Sequence, residues 1–168
     1  MAVTMFQAAV PTVSRALNNL ADVLAKGAAH AEAKKIPPEV LLAFRLYPDM
    51  LPLSKQIQIA SDISKGGCSR LAQVEPPAFE DNEATFAQLI ERARKTVAYL
   101  ETLKPEKFDG SEDRTITWTV RGNERSMQGR LYLFNHVLPN VFFHCTTAYD
   151  ILRHNGVELG KMDFLGKI

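Results

Sequence analysis

Cysteine is nearly absent from this 168-residue chain: Cys68 and Cys145 are the two it has, and they lack CxxC spacing. That excludes a thiolate metal cluster and a disulfide scaffold, and it leaves both to be read as buried, reduced thiols. An excess of charge is missing as well. Twenty basic and nineteen acidic side chains are interspersed, for a formal charge of +1, so no basic stripe is available to neutralise phosphates and nucleic acid is not an expected partner. No apolar run approaches the ~20 residues of a membrane span. The opening stretch MAVTMFQAAVPTVSRAL has no basic region ahead of its apolar residues and meets Pro11 early. A cytoplasmic protein without membrane contact is the expectation.

Amphipathic helical periodicity is what the chain does have. A chain of this length suits one domain over 1–168, burying roughly 70% of the surface it exposes when unfolded. Phe6, Val10, Val13, Leu17, Leu20 and Leu24 recur at three- and four-residue steps and predict a first helix from about Ala2 to Lys34. KKIPPEV breaks it, and a second helix is expected from Pro38 to Ser64, ended by the glycines of SKGG. Asp81 or Asn82 can cap a third, whose stripe is Phe86, Leu89, Ile90, Ala93, Val97 and Leu100. Then the period changes. TITWTV, residues 115–120, alternates as a strand does, RGNE is a turn, and residues 125–129 can return as its partner, with Trp118 anchoring the small hairpin. A fourth helix is expected over Gly129 to His154, followed by a tail, GVELGKMDFLGKI, whose Leu159, Met162, Phe164 and Leu165 are too apolar for a free end. The fold class is therefore all-α, a four-helix bundle with a β-hairpin inserted between helices 3 and 4.

The polar residues sit in unexpected company. The fourth helix is apolar on nearly every side up to residue 143, yet FNHVLPNVFFH places His136, Asn140 and His144 at i, i+4 and i+8, on one face. Pro139 lacks an amide hydrogen, so a bend or a wide turn is expected beside it. The second helix carries a matching irregularity at Pro48 and Pro52, with Arg45 and Asp49 one turn apart. A pocket between the two bends, lined by Arg45, Asp49, His136, Asn140 and His144, would explain so many polar groups. Equally, Arg45 can pair with Asp49 and His144 can be a satisfied core histidine. Asp62 with Lys65, and Glu80 with Asp81 and Glu83, read as a solvated face and a capping cluster.

Three blocks carry a resemblance: FRLYPDMLPLSKQIQIASDISKGGCSRLA, FEDNEATFAQLIER and LPNVFFHCTTAYDILRHNGVELGKMDFLG. Together they resemble the signature blocks of a bacterial family of domains of unknown function within the DinB/YfiT-like superfamily of proposed metalloenzymes. The resemblance implies a four-helix bundle of unusual connectivity, frequently a homodimer, and brings no established activity. Superfamily members commonly hold a divalent metal through one histidine of the second helix and an HxxxH in the last, and some are thiol-dependent transferases or isomerases. Here the HxxxH reads Asn140 to His144, and the second-helix position falls near Asp49. A metal would therefore rest on His144, Asp49 and Asn140, a set that suits zinc or nickel poorly because those ions prefer imidazole or thiolate.

Two functions follow from these observations. The favoured one is a non-catalytic, dimer-forming binding or stress-associated module with a degenerate pocket. The alternative is a small-molecule-binding or metal-assisted, thiol-transferase-like enzyme using Asp49, Asn140 and His144, with His144 as ligand or general base.

Overall fold

The computed structural model describes residues 2–120 and 122–166. Four long helices make the bundle: α1 (Met5–Lys34), α3 (Leu53–Ala72), α4 (Phe86–Glu101) and α6 (Leu138–His154), with short α2 (Pro38–Leu42), α5 (Gly129–Tyr132) and α7 (Lys161–Leu165) between and after them. Around the bundle the order is α1, α4, α3, α6, so the consecutive helices α1 and α3 face each other across it. The stripes anticipated for α1 and α4 supply its core: Val10, Val13, Leu17, Leu20 and Leu24 meet Phe86, Leu89, Ala93, Val97 and Leu100, all buried. Thr4 opens α1 and Thr85 opens α4, each in a reciprocal capping box with the glutamine three residues on.

Three boundaries differ from the sequence-based expectation. The second helix is not one bent rod over 38–64. It stops at Leu42, and residues 43–52 form an irregular loop before α3 begins at Leu53. Two prolines four residues apart remove two successive ladder donors and push Tyr47 and Leu51 out of helical geometry; the freed Phe44 carbonyl accepts instead from the Leu53 amide, at 2.9 Å. The SKGG glycines do not end α3, which continues to Ala72 and closes on Gln73 in the left-handed conformation. Gly67 lies inside the helix because a Cβ there would stand 2.8 Å from both Val137 methyls of the facing helix. Finally, Thr85 rather than Asp81 or Asn82 caps α4, since Asp81 is drawn into an ion-pair cluster described below.

The hairpin is present, as β1 (Thr115–Val120) and β2 (Asn123–Gln128), antiparallel with Thr115 opposite Gln128 and Val120 opposite Asn123. The expected RGNE turn begins at Arg121, which lies outside the described residues. Ile116 and Trp118 turn inward and tie the hairpin to the bundle. Gly129 then enters α5 so close to Ser111 that an added Cβ would sit 1.8 Å from its carbonyl oxygen. The last helix is interrupted where Pro139 predicts it. Residues 133–137 widen into a π-turn in which the Leu138 amide reaches back five residues to the Leu133 carbonyl, and Pro139 falls in the first turn of α6, where its missing N–H costs least.

Beyond α6 the tail docks, but not through all the side chains expected. Val157 and Leu159 are buried and Phe164 is half-buried, whereas Met162 and Leu165 stay exposed. The five-residue α7 is laid along α1 by polar links: Lys26 pairs with Asp163 at 2.7 Å, and Asn19 Nδ2 donates to the Phe164 carbonyl at 2.9 Å. Residues 167–168 of the tail lie outside the described set.

Candidate functional site

The interior-facing imidazole of α6 is His144, 9% exposed. Its Nδ1 lies 2.7 Å from Gln56 Oε1 on α3, and Gln56 Nε2 in turn donates to the Leu51 carbonyl at 2.9 Å. This chain of contacts assigns the tautomer. A carbonyl can only accept, so the amide must turn its NH2 to Leu51 and its oxygen to His144, and Nδ1 therefore carries the proton. Nε2 is left with its lone pair. No hydrogen bond to it is found among the described residues, and it is not one of the buried unpartnered polar atoms, so it keeps a solvent-facing aspect. Burial pushes the His144 pKa down, which favours the neutral ring.

The neighbouring polar groups are engaged elsewhere. Asn140 donates from Nδ2 to the His136 carbonyl at 2.6 Å, satisfying a backbone acceptor at the π-turn. His136 stacks on Tyr132 and lies 4.7 Å from the Trp118 ring; burial, with Arg70 nearby, lowers its pKa. Arg45 and Asp49 are exposed in the 43–52 loop, and among the described residues no hydrogen bond or ion pair joins them to each other or to His144. Of the five residues singled out in the sequence, the structure thus links His136 to Asn140, sets His144 against Gln56, and leaves Arg45 and Asp49 at the surface. Gln56 was missed, although it had a signal: it is the polar member of the otherwise apolar stripe Leu53, Gln56, Ile57, Ala60.

The divalent metal typical of the superfamily fits this donor set poorly. One imidazole is present, its companion at the HxxxH position is an amide already bonded to backbone, and the group facing it from α3 is a second amide. Among the described residues no group of three His, Cys, Asp or Glu side chains is arranged to hold an ion. Cys68 and Cys145 are buried, and burial pushes both thiols up to about 12, far from a reactive thiolate.

The sequence reads Asp62 with Lys65 as a solvated face, and Glu80, Asp81 and Glu83 as a capping cluster; the structure keeps Asp62 and Asp81 partly exposed but gathers them with Glu83 about Arg92, and leaves the cap to Thr85. Arg92, 3% exposed, donates from Nη1 to Glu83 Oε1 at 2.8 Å and from Nη2 to Asp62 Oδ1 at 2.9 Å, and stands 3.0 Å from Asp81. Gln58 donates to the other Glu83 oxygen at 2.8 Å, and Lys65 lies over the Phe79 ring. Burial drives the Glu83 carboxyl up, but the hydrogen bonds from Arg92 and Gln58 outweigh it and hold its pKa below the ordinary value. The cluster straps the loop between α3 and α4 onto both helices. The carboxylates that Arg92 gathers lie 9 to 30 residues from it in sequence, beyond the reach of any helical spacing rule.

Comparison with known proteins agrees with this architecture. Residues 5–165 match the family model described as a domain of unknown function, DUF1993. The crystal structure of a DinB family member protein from Shewanella denitrificans superposes with a TM-score of 0.91 at 39% identity, over 98% of this chain and 93% of that one. No curated protein matches. With the family model spanning nearly all its length, the chain belongs to the DUF1993 family of domains of unknown function, on a DinB-like bundle.

Proposed function

We propose that this protein is a non-catalytic, dimer-forming binding module in which the superfamily pocket has become structural. The observation that carries this reading is the hydrogen-bond chain from Leu51 through Gln56 to His144 Nδ1, together with Asn140 folded onto its own helix: His144 Nδ1, Gln56 and Asn140 are paired within the protein. Support for a dimer comes from the surface beside them. Leu51 and Phe143 flank the pair, Phe143 packing edge-on to His144 while 57% exposed, and Tyr47 projects from the same loop as Leu51. Light scattering on the purified protein should give a dimer mass, and Phe143→Glu should give a folded monomer. Metal analysis on untagged protein should find well below one ion per chain. A monomeric wild type refutes the dimer, and a stoichiometric ion refutes the structural pocket.

One observation favours the alternative small-molecule reading. His144 Nε2 is neutral, bears its lone pair and faces solvent, as a base or an acceptor for a ligand would. In that reading Asn140 lies one turn away and Asp49 belongs to the irregular 43–52 loop that leads into α3. An imidazole NMR titration decides it: a compound that moves the His144 Nε2 resonance saturably, and fails to do so in Asn140→Ala, supports a working pocket.

A further inference from the structure

A second face of α6 turns away from Gln56. Phe142, Cys145 and Tyr149 point toward α1, where Ala16 and Leu20 oppose them, and α7 crosses the gap with Phe164 edge-on to Tyr149 at 6.2 Å. These side chains line a half-open cavity of about 410 Å³, within the roughly 300 to 1,000 Å³ usual for small-molecule sites. Neither His144 nor Gln56 lines it, and among the described residues no carboxylate does. Two of the polar groups at its edge bind the tail: Arg15 donates from Nε and Nη2 to the Leu165 carbonyl, at 3.1 and 2.9 Å, and Asn19 to that of Phe164. Most of the remaining lining is apolar, including Pro11, Leu20, Val23 and Phe142, so a charged ligand would lose its hydration against it whereas an apolar one would not. We propose that this cavity binds a small, uncharged, largely apolar molecule, with α7 as its cover. α7 has no fully buried residue and is held by the half-buried Phe164 and a few polar links, so it can lift without opening the core. This inference rests on the binding-module reading and names its ligand class.

The test is titration of the intact protein with N-phenyl-1-naphthylamine, an uncharged probe that fluoresces in apolar surroundings. Saturable uptake of one probe per chain is expected. Ala16→Phe, which fills the half-buried wall of α1, should weaken uptake at least tenfold with unchanged circular dichroism; Thr12→Phe, on the same wall, serves if Ala16→Phe does not fold. A naphthylamine probe carrying a sulfonate should bind at least tenfold more weakly. The proposal is overturned by a wild type that takes up no probe saturably, by folded variants that bind as wild type does, or by equal or tighter binding of the sulfonate. Probe uptake by a monomeric protein would support the cavity while refuting the dimer, so the two readings fail separately.

Discussion

Replacing Gln56 and His144 singly and together separates a structural pair from two independent side chains. Gln56→Leu strands the buried Nδ1–H of His144, and His144→Phe strands Gln56 Oε1, with both residues at or below 9% exposure. Leaving one buried partner unsatisfied costs about 1 to 3 kcal/mol, and in a domain of this size each kcal/mol moves the melting temperature by about 2 to 4 °C. Each single variant should therefore melt about 2 to 12 °C below wild type. The double variant removes both buried partners at once, and the Leu51 carbonyl it releases belongs to an exposed residue that water can reach. Its loss should be smaller than the sum of the singles, by a coupling of about 1 kcal/mol or more. Thermal and urea unfolding of the four proteins measure the cycle. Additivity within about 0.5 kcal/mol would refute the pairing and the tautomer drawn from it.

Arg92→Met should destabilise the fold by about 3 kcal/mol, the low end for breaking a buried pair, because the largely covered Glu83 loses its cation and keeps only the neutral Gln58 side chain as donor, while Asp62 and Asp81 are nearly half exposed; a loss under about 1 kcal/mol in urea unfolding would contradict a strapping role. Acid should weaken the protein. Burial holds the folded-state pKa values of His144 and His136 below the ordinary imidazole value of 6.5, so their contribution is complete above that pH and is lost as pH falls through the lower folded values; Glu83, held below the ordinary carboxyl value, adds a further loss at lower pH. A urea midpoint that stays constant or rises between pH 7.5 and 5 would show the sign to be wrong. Truncation after Gly160 removes α7, which has no buried residue, and should leave the melting temperature nearly unchanged. Truncation after Gly156 also removes buried Val157 and Leu159, at about 1.5 to 3 kcal/mol each, and should lower it sharply; equal effects of the two cuts would refute this division of the tail.

Much of the fold was written locally. The stripes of α1 and α4, the alternation of TITWTV and the widening beside Pro139 follow from side-chain periodicity and from a missing amide hydrogen, which act within a turn or two of the chain. For the same reason the sequence placed His144 inside and the tail against the bundle. What it left undetermined depends on which helix packs on which. Gln56 meets His144 across 88 residues only because α3 lies beside α6, and the same packing lets the SKGG glycines continue a helix that local rules would end. Arg92 gathers Asp62, Asp81 and Glu83 because the loop before α4 folds back over α3, tying partly exposed carboxylates to a buried guanidinium. Local patterning determines where apolar faces lie. The partners of buried polar groups are chosen by the order of helices around the bundle, because such a group must be satisfied by whatever the tertiary fold brings within hydrogen-bond reach.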